Sequence, residues 1–243
     1  MINSALRRSF DVYYRDAERT ARMDKLNAQF VRSDDLVFDI GAHVGDRTAS
    51  FRRLGAKVVA LEPQPRVFRA LRLLYAGATS VVLRCAAVGA FCGTLDLHVN
   101  SRNPTVSTLS EDLQMAAKHS AEWQGQIWDT SVEVDVTTLD QLIADHGKPS
   151  FIKIDVEGYE AEALTGLSAR VPALSFEFTT LQRKVALNCL DQLCELDQWK
   201  FNVSLGEDHA LRFDDWITRP AMAQYIMSLP ASANSGDVYA RLV

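Results

Sequence analysis

The 243-residue sequence predicts an α/β protein built on a Rossmann-like, mostly parallel sheet. Short apolar runs alternate with segments of helical period, a glycine bend follows the first such run, and an acidic residue closes the second. Hydrophobic residues at 47% and charged residues at 23% supply enough apolar surface for one sizeable core.

The elements follow in order. From Phe10 to Phe30, apolar residues at helical spacing predict one or two amphipathic helices, a cap over residues 1–33 ahead of a main domain at 34–243. Leu36 to Ile40 reads as a buried strand, Gly45 to Leu54 as a helix stopped by Gly55, and Lys57 to Leu61 as a second strand. Pro65 opens a helix reaching Tyr75, and Ser80 to Cys85 is a third strand. Leu95–Val99 and Val132–Val136 alternate apolar and polar residues, the period of half-exposed strands. The polar stretch between them, with a short helix after Ser110, is an insert at 100–131 expected to act as a hairpin or lid over a substrate. Thr138 and Gln141 form a capping box for a helix that Gly147 and Pro149 end. Strand Phe151–Asp155, a helix from Glu160 to Leu167 and strand Ala173–Phe178 come next. A longer helix presents Leu187, Leu190, Leu193 and Cys194 on one face, and the last strands are Phe201–Leu205 and Val238–Leu242.

The net charge of −5 provides no basic field for nucleic acid or an anionic membrane, and no apolar run nears the ~20 residues of a membrane span. Asp11, Arg15 and Asp16 interrupt any signal-peptide core after Met1-Ile2-Asn3, so a cytoplasmic protein is expected. Cys85, Cys92, Cys189 and Cys194 lack paired spacing and read as reduced, mostly buried residues. Oligomeric state has no signature in the sequence.

The bend Asp39-Ile40-Gly41-Ala42-His43-Val44-Gly45-Asp46 joins a buried strand to a helix, where open α/β sheets bind nucleosides. Gly41 lets the backbone approach a ligand and Gly45 lets the helix start against it. Dinucleotide sites leave amides free for a pyrophosphate behind G-x-G-x-x-G. Here the spacing is G-x-x-x-G, and the carboxylates of Asp39 and Asp46 repel phosphate. They suit a ligand bearing an ammonium and a sulfonium, which favours S-adenosylmethionine over NAD. Glu62, about 20 residues past the bend, stands where an acid binds ribose hydroxyls, and Pro63 stiffens the turn after it.

Further segments carry a resemblance: Phe38–Ala42 with Gly45, Glu62-Pro63, Ala86-Ala87-Val88-Gly89, Ser107-Thr108-Leu109, Val134–Asp140, Phe151–Glu160, Leu174–Phe178 and Gly236–Ala240. With these the chain resembles the FkbM-type branch of class I S-adenosylmethionine-dependent methyltransferases. The resemblance implies a seven-stranded sheet whose last strand is antiparallel, and O-methylation of hydroxyls on sugars or other natural products. It also brings Ala86, Ala87 and Asp155 to the cofactor. His43 and Asp46 depart from the family, which commonly carries Asn and a larger apolar or aromatic residue there.

Methyl transfer needs an aligned acceptor oxygen, exclusion of water and a proton acceptor. Lys153, Asp155 and Glu157 form the candidate cluster; Lys153 and Asp155 share a strand face. A Mg²⁺ ion on Asp155 and Glu177 is a second reading. A small-molecule acceptor would be roofed by the insert, the N-terminal helix and the segment 206–225, with Trp123, Trp128 and Trp216 available for stacking. His209 reads as a surface histidine, with a catalytic base as the alternative. Two other functions share this sheet: a nucleotide-dependent oxidoreductase, against which Asp39 and Asp46 argue, and a binding module without turnover, against which the intact cluster argues.

Overall fold

Val37, Phe38 and Ile40 are fully apolar neighbours in a β-rich run, and they make Leu36–Ile40 (β1) a strand buried on both faces. In the computed structural model, which describes residues 4–243, β1 is an inner strand, third from one edge of a seven-stranded sheet. Its parallel neighbours are Lys57–Leu61 (β2) and Phe151–Ile154 (β7). Val81–Arg84 (β3) lies outside β2, and Ala173–Thr179 (β8) beyond β7. Ser235–Leu242 (β10) inserts antiparallel between β8 and Trp199–Leu205 (β9). The order β3-β2-β1-β7-β8-β10-β9 includes the expected antiparallel last strand.

Alternation along each strand sorts side chains into two cores. Phe38, Ile40, Ile152, Ile154 and Phe176 face one; Val37, Val58, Phe151 and Tyr239 face the other. The first core is closed by Leu139–His146 (α6), Glu160–Thr165 (α7), Arg183–Leu196 (α8) and Arg219–Ser228 (α9). Asp46–Arg53 (α3) and Ala17–Asn27 (α2) help close the second, and Pro65–Leu74 (α4) lies beside them. Ser4–Tyr14 (α1) lies over the bend after β1, where Phe10 and Tyr13 pack on Val44 and Val67. Met1 to Asn3 lie outside the described residues.

A small second sheet joins Ala87–Val88 (β4), Thr130–Thr137 (β6) and Gly93–Val99 (β5). The connection between β5 and β6 holds a single 3₁₀ turn at Pro104–Val106 and the helix Glu111–Ala117 (α5), which Ser110 caps by accepting from Leu113 N at 3.1 Å.

Three local expectations are corrected. Thr138 Oγ1 accepts from Gln141 N at 3.0 Å, but the Gln141 amide turns outward to Asp145, so only half the capping box forms. The buried face of α8 is Ala186, Cys189, Leu190 and Leu193; Leu187 is only partly covered and Cys194 faces solvent, one residue out of phase. All four cysteines are free as expected, yet only Cys189 is buried. Helix α9 has no counterpart among the expected elements. Among the described residues no helix is long and apolar enough to cross a membrane.

Candidate functional site

Strand order reverses between β1 and β7, so the connections leaving their carboxyl ends diverge and open a crevice. A cavity of about 300 Å³ occupies it. The bend after β1, the turn after β2, the ends of β7 and β8, the start of the loop after β9 and the start of β10 form its wall. Tyr13 of α1 reaches it too, and the insert contributes Thr105, Ser107 and Leu109.

Gly41 and Gly45 both have φ of +81°, but their neighbours give each a different reason to be glycine. A Cβ on Gly41 would lie 1.7 Å from the Asp155 carbonyl oxygen, so the first bend is pressed against the end of β7. A Cβ on Gly45 would meet Leu71 and Tyr75, and Gly45 does not line the cavity. Packing, rather than approach of a ligand, is what demands these glycines. Gly41, Ala42 and His43 do line the cavity.

Glu62 ends β2 with 2% of its surface exposed and faces the cavity. One carboxylate oxygen accepts from His43 N at 3.0 Å and the other from Gln64 N at 2.8 Å. Burial pushes this carboxyl up to about 7 against the pull of those two N–H groups. Pro63, Ala86 and Ala87 border it along the same wall. The His43 ring is half-buried, bonded through Nε2 to Ser9 Oγ at 3.0 Å and edge-on to Tyr13; loss of solvent lowers it to about 4 despite Asp46 and Asp155 nearby.

Asp39 and Asp46 both line the cavity but neither is a free anion. Asp39 accepts from the Thr48 hydroxyl, and burial lifts it to about 6. Asp46 is paired with Arg19 at 2.8 Å and Arg47 at 3.2 Å. Glu207 bonds the same two arginines at 2.6 and 3.5 Å, tying α2, α3 and the loop after β9 together. The role expected of Asp46, repelling phosphate as an open charge, is therefore largely cancelled by its partners.

On β7, Lys153 and Asp155 share a face as expected. Lys153 Nζ lies 3.1 Å from Asp155 and 2.6 Å from Asp237 of β10. Burial alone would push this ammonium down; the two carboxylates overturn that and hold it above its ordinary value. Lys153 is 2% exposed and does not line the cavity, so it braces Asp155 from behind. Asp155, Glu157 and Glu177 do line it, with carboxylate oxygens within 4.8 Å of one another. Burial first, then Asp155 beside them, drives Glu157 and Glu177 well above the carboxylate range. Glu157 sits at φ +53°, a left-handed conformation costing roughly 1–2 kcal/mol. Glu160 holds that loop by accepting from Val156 N and Gly158 N, and Thr108 donates to the Glu157 carbonyl at 2.6 Å.

Other expected residues fall elsewhere. Trp123 and Trp128 stack on each other outside the cavity wall, and Trp216 packs on Phe30 under Arg241. His209 is buried, 3.0 Å from Glu207, rather than at the surface. Tyr13, Arg47, Glu207 and Asp237 were not singled out by local pattern; Gly236-Asp237 stood only within the resemblance.

These buried acids set a pH dependence. Asp39 at about 6 and Glu62 and Glu160 at about 7 keep protons that the unfolded chain has already released. Folded protein thus binds more protons than unfolded between the ordinary and the raised values, and stability falls as pH rises through that window. His43, lowered to about 4, acts oppositely and only below its ordinary value. The melting temperature of the ligand-free protein is expected to drop between about pH 5 and pH 7. A scanning fluorimetry profile that is flat or rising there contradicts the assignment.

The profile of the methyltransferase FkbM domain matches residues 39–217. The hexuronic acid methyltransferase AglP of Haloferax volcanii is 24% identical over 164 residues, 67% of this chain and 62% of that protein. The chain thus spans under two thirds of this relative's length. Among solved structures, a precorrin-6y C5,15-methyltransferase of Geobacter metallireducens superposes with a TM-score of 0.49 at 12% identity, over 93% of this chain and 87% of that one. A TehB-like methyltransferase of Corynebacterium glutamicum gives 0.48 at 9% identity, over 97% and 94%.

Proposed function

Because this chain belongs to the methyltransferase FkbM domain family, we propose that it uses S-adenosylmethionine to methylate a hydroxyl on a sugar or another small natural product. The observation that carries this reading is the wall around Glu62. Its carboxylate is oriented by two backbone N–H groups, keeps lone pairs for a pair of ribose hydroxyls, and stands in a cavity whose lining arginine is already paired. That lining favours a phosphate-free nucleoside over a dinucleotide.

S-Adenosylmethionine supplies an activated methyl group on a sulfonium. Gly41 to His43, Pro63, Ala86 and Ala87 would border it, and Glu62 would hold its ribose. Asp155 would accept the proton of the acceptor hydroxyl as that oxygen takes up the methyl group. Lys153 keeps Asp155 in place, Glu157 forms the adjoining wall, and the insert at 100–131 with α1 excludes water as a lid. The acceptor in this reading is a small molecule rather than a nucleic acid, and the compartment is the cytoplasm. A divalent ion such as Mg²⁺ is a second reading, favoured by the three carboxylates within 4.8 Å, whose hard oxygens suit it.

Calorimetric titration with S-adenosylmethionine, S-adenosylhomocysteine and NAD tests the proposal. Binding of the first two and not the third is expected; no heat with S-adenosylhomocysteine would end it. Full activity in excess EDTA would dismiss the ion.

A further inference from the structure

Resting on that reading, the charge of the acceptor end goes further. Asp155, Glu157, Glu177, Glu207 and Asp237 all line the cavity, and Arg47 is the lining arginine or lysine among the described residues. Arg47 is already shared between Asp46 and Glu207, and Lys153 behind the wall between Asp155 and Asp237. Glu157 and Glu177 have no such cation within 4.0 Å among the described residues. One Glu177 oxygen is moreover fully buried without a hydrogen-bond partner. An acid pair so enclosed keeps its protons while the cavity is empty and ionises against a cation brought from outside.

We propose that the acceptor brings it, as an ammonium group placed against Glu157 and Glu177 near the hydroxyl that is methylated. The substrate class is then amino sugars and related amino alcohols, and carboxylate-bearing sugars are turned away by like charge. A divalent ion would answer the same demand, but the Lys153 ammonium 3.1 Å from Asp155 opposes a second, doubly charged cation there. The transfer step stays as described above, with Asp155 taking the hydroxyl proton.

Glucosamine, glucose and glucuronate differ chiefly in charge and serve as probes. Each is titrated by ligand-observed NMR onto the full chain, in EDTA, after saturation with S-adenosylhomocysteine has been verified. Glucosamine is expected to bind about tenfold or more tightly than glucose, with glucuronate weakest. Glu177→Gln should shrink that preference several-fold while S-adenosylhomocysteine still binds, showing an intact fold. Equal binding of the three, tighter glucuronate, or no binding by any overturns the proposal, as does MgCl₂ abolishing the glucosamine preference. Failure of S-adenosylhomocysteine itself to bind would instead strike the underlying function.

Discussion

Asp155→Asn is expected to lower methyl transfer by about a thousandfold, within the 10²–10⁴ range that a positioned proton acceptor contributes. The substitution keeps the side-chain shape and removes the charge. Its fold is protected: the Asp155 backbone N–H is bonded to the Ile40 carbonyl at 2.9 Å, and Lys153 retains Asp237 at 2.6 Å. Affinity for S-adenosylhomocysteine should stay within a few-fold, since the nucleoside is assigned to Glu62. The check is S-adenosylhomocysteine formed per enzyme with whichever acceptor the wild type turns over. Unchanged turnover would move the proton acceptor elsewhere, Glu157 first.

Glu62→Ala is expected to weaken S-adenosylmethionine binding by about a hundredfold, since hydrogen bonds to a charged group contribute about 1.5–3 kcal/mol each. Two effects add. The ribose partner is lost, and the N–H groups of His43 and Gln64 lose the carboxylate that orients the bend. Glu62→Gln should fall between, about tenfold weaker. Stability should move the other way. A buried acid at about 7 is costly to ionise, so the Gln variant is expected to melt no lower than wild type near pH 8. A Gln variant that binds normally and melts lower would make Glu62 a structural brace.

The sheet was legible because its signals are local. Val37–Ile40 and Phe151–Ile154 are short apolar runs ended by turn residues, and their order with the intervening helices implies parallel pairing. Part of the cavity lining was legible for the same reason: Gly41 and Glu62 lie at strand ends that the pattern marks. What escaped is long-range. Arg19 meets Asp46 across 27 residues and Glu207 across 188, and Lys153 meets Asp237 across 84, contacts that no local period encodes. His209 looked like a loop residue, yet the loop folds inward onto Glu207. On α8, Cys194 stands next to the inward Leu193, and spacings of three and four from Leu190 admit both residues to an apolar stripe.

The close approach of Gly41 to the Asp155 carbonyl welds the bend proposed to hold the nucleoside to the residue proposed to take the proton. Neither can drift without the other, so the reaction's inner dimensions are a rigid inheritance of the sheet. Diversification is left to the borrowed walls, the 3₁₀ turn with its neighbours up to Leu109 and the loop that leaves β9, which meet the cavity without bearing on that weld. New acceptors can thus be reached by remodelling the rim while the chemistry underneath stands still.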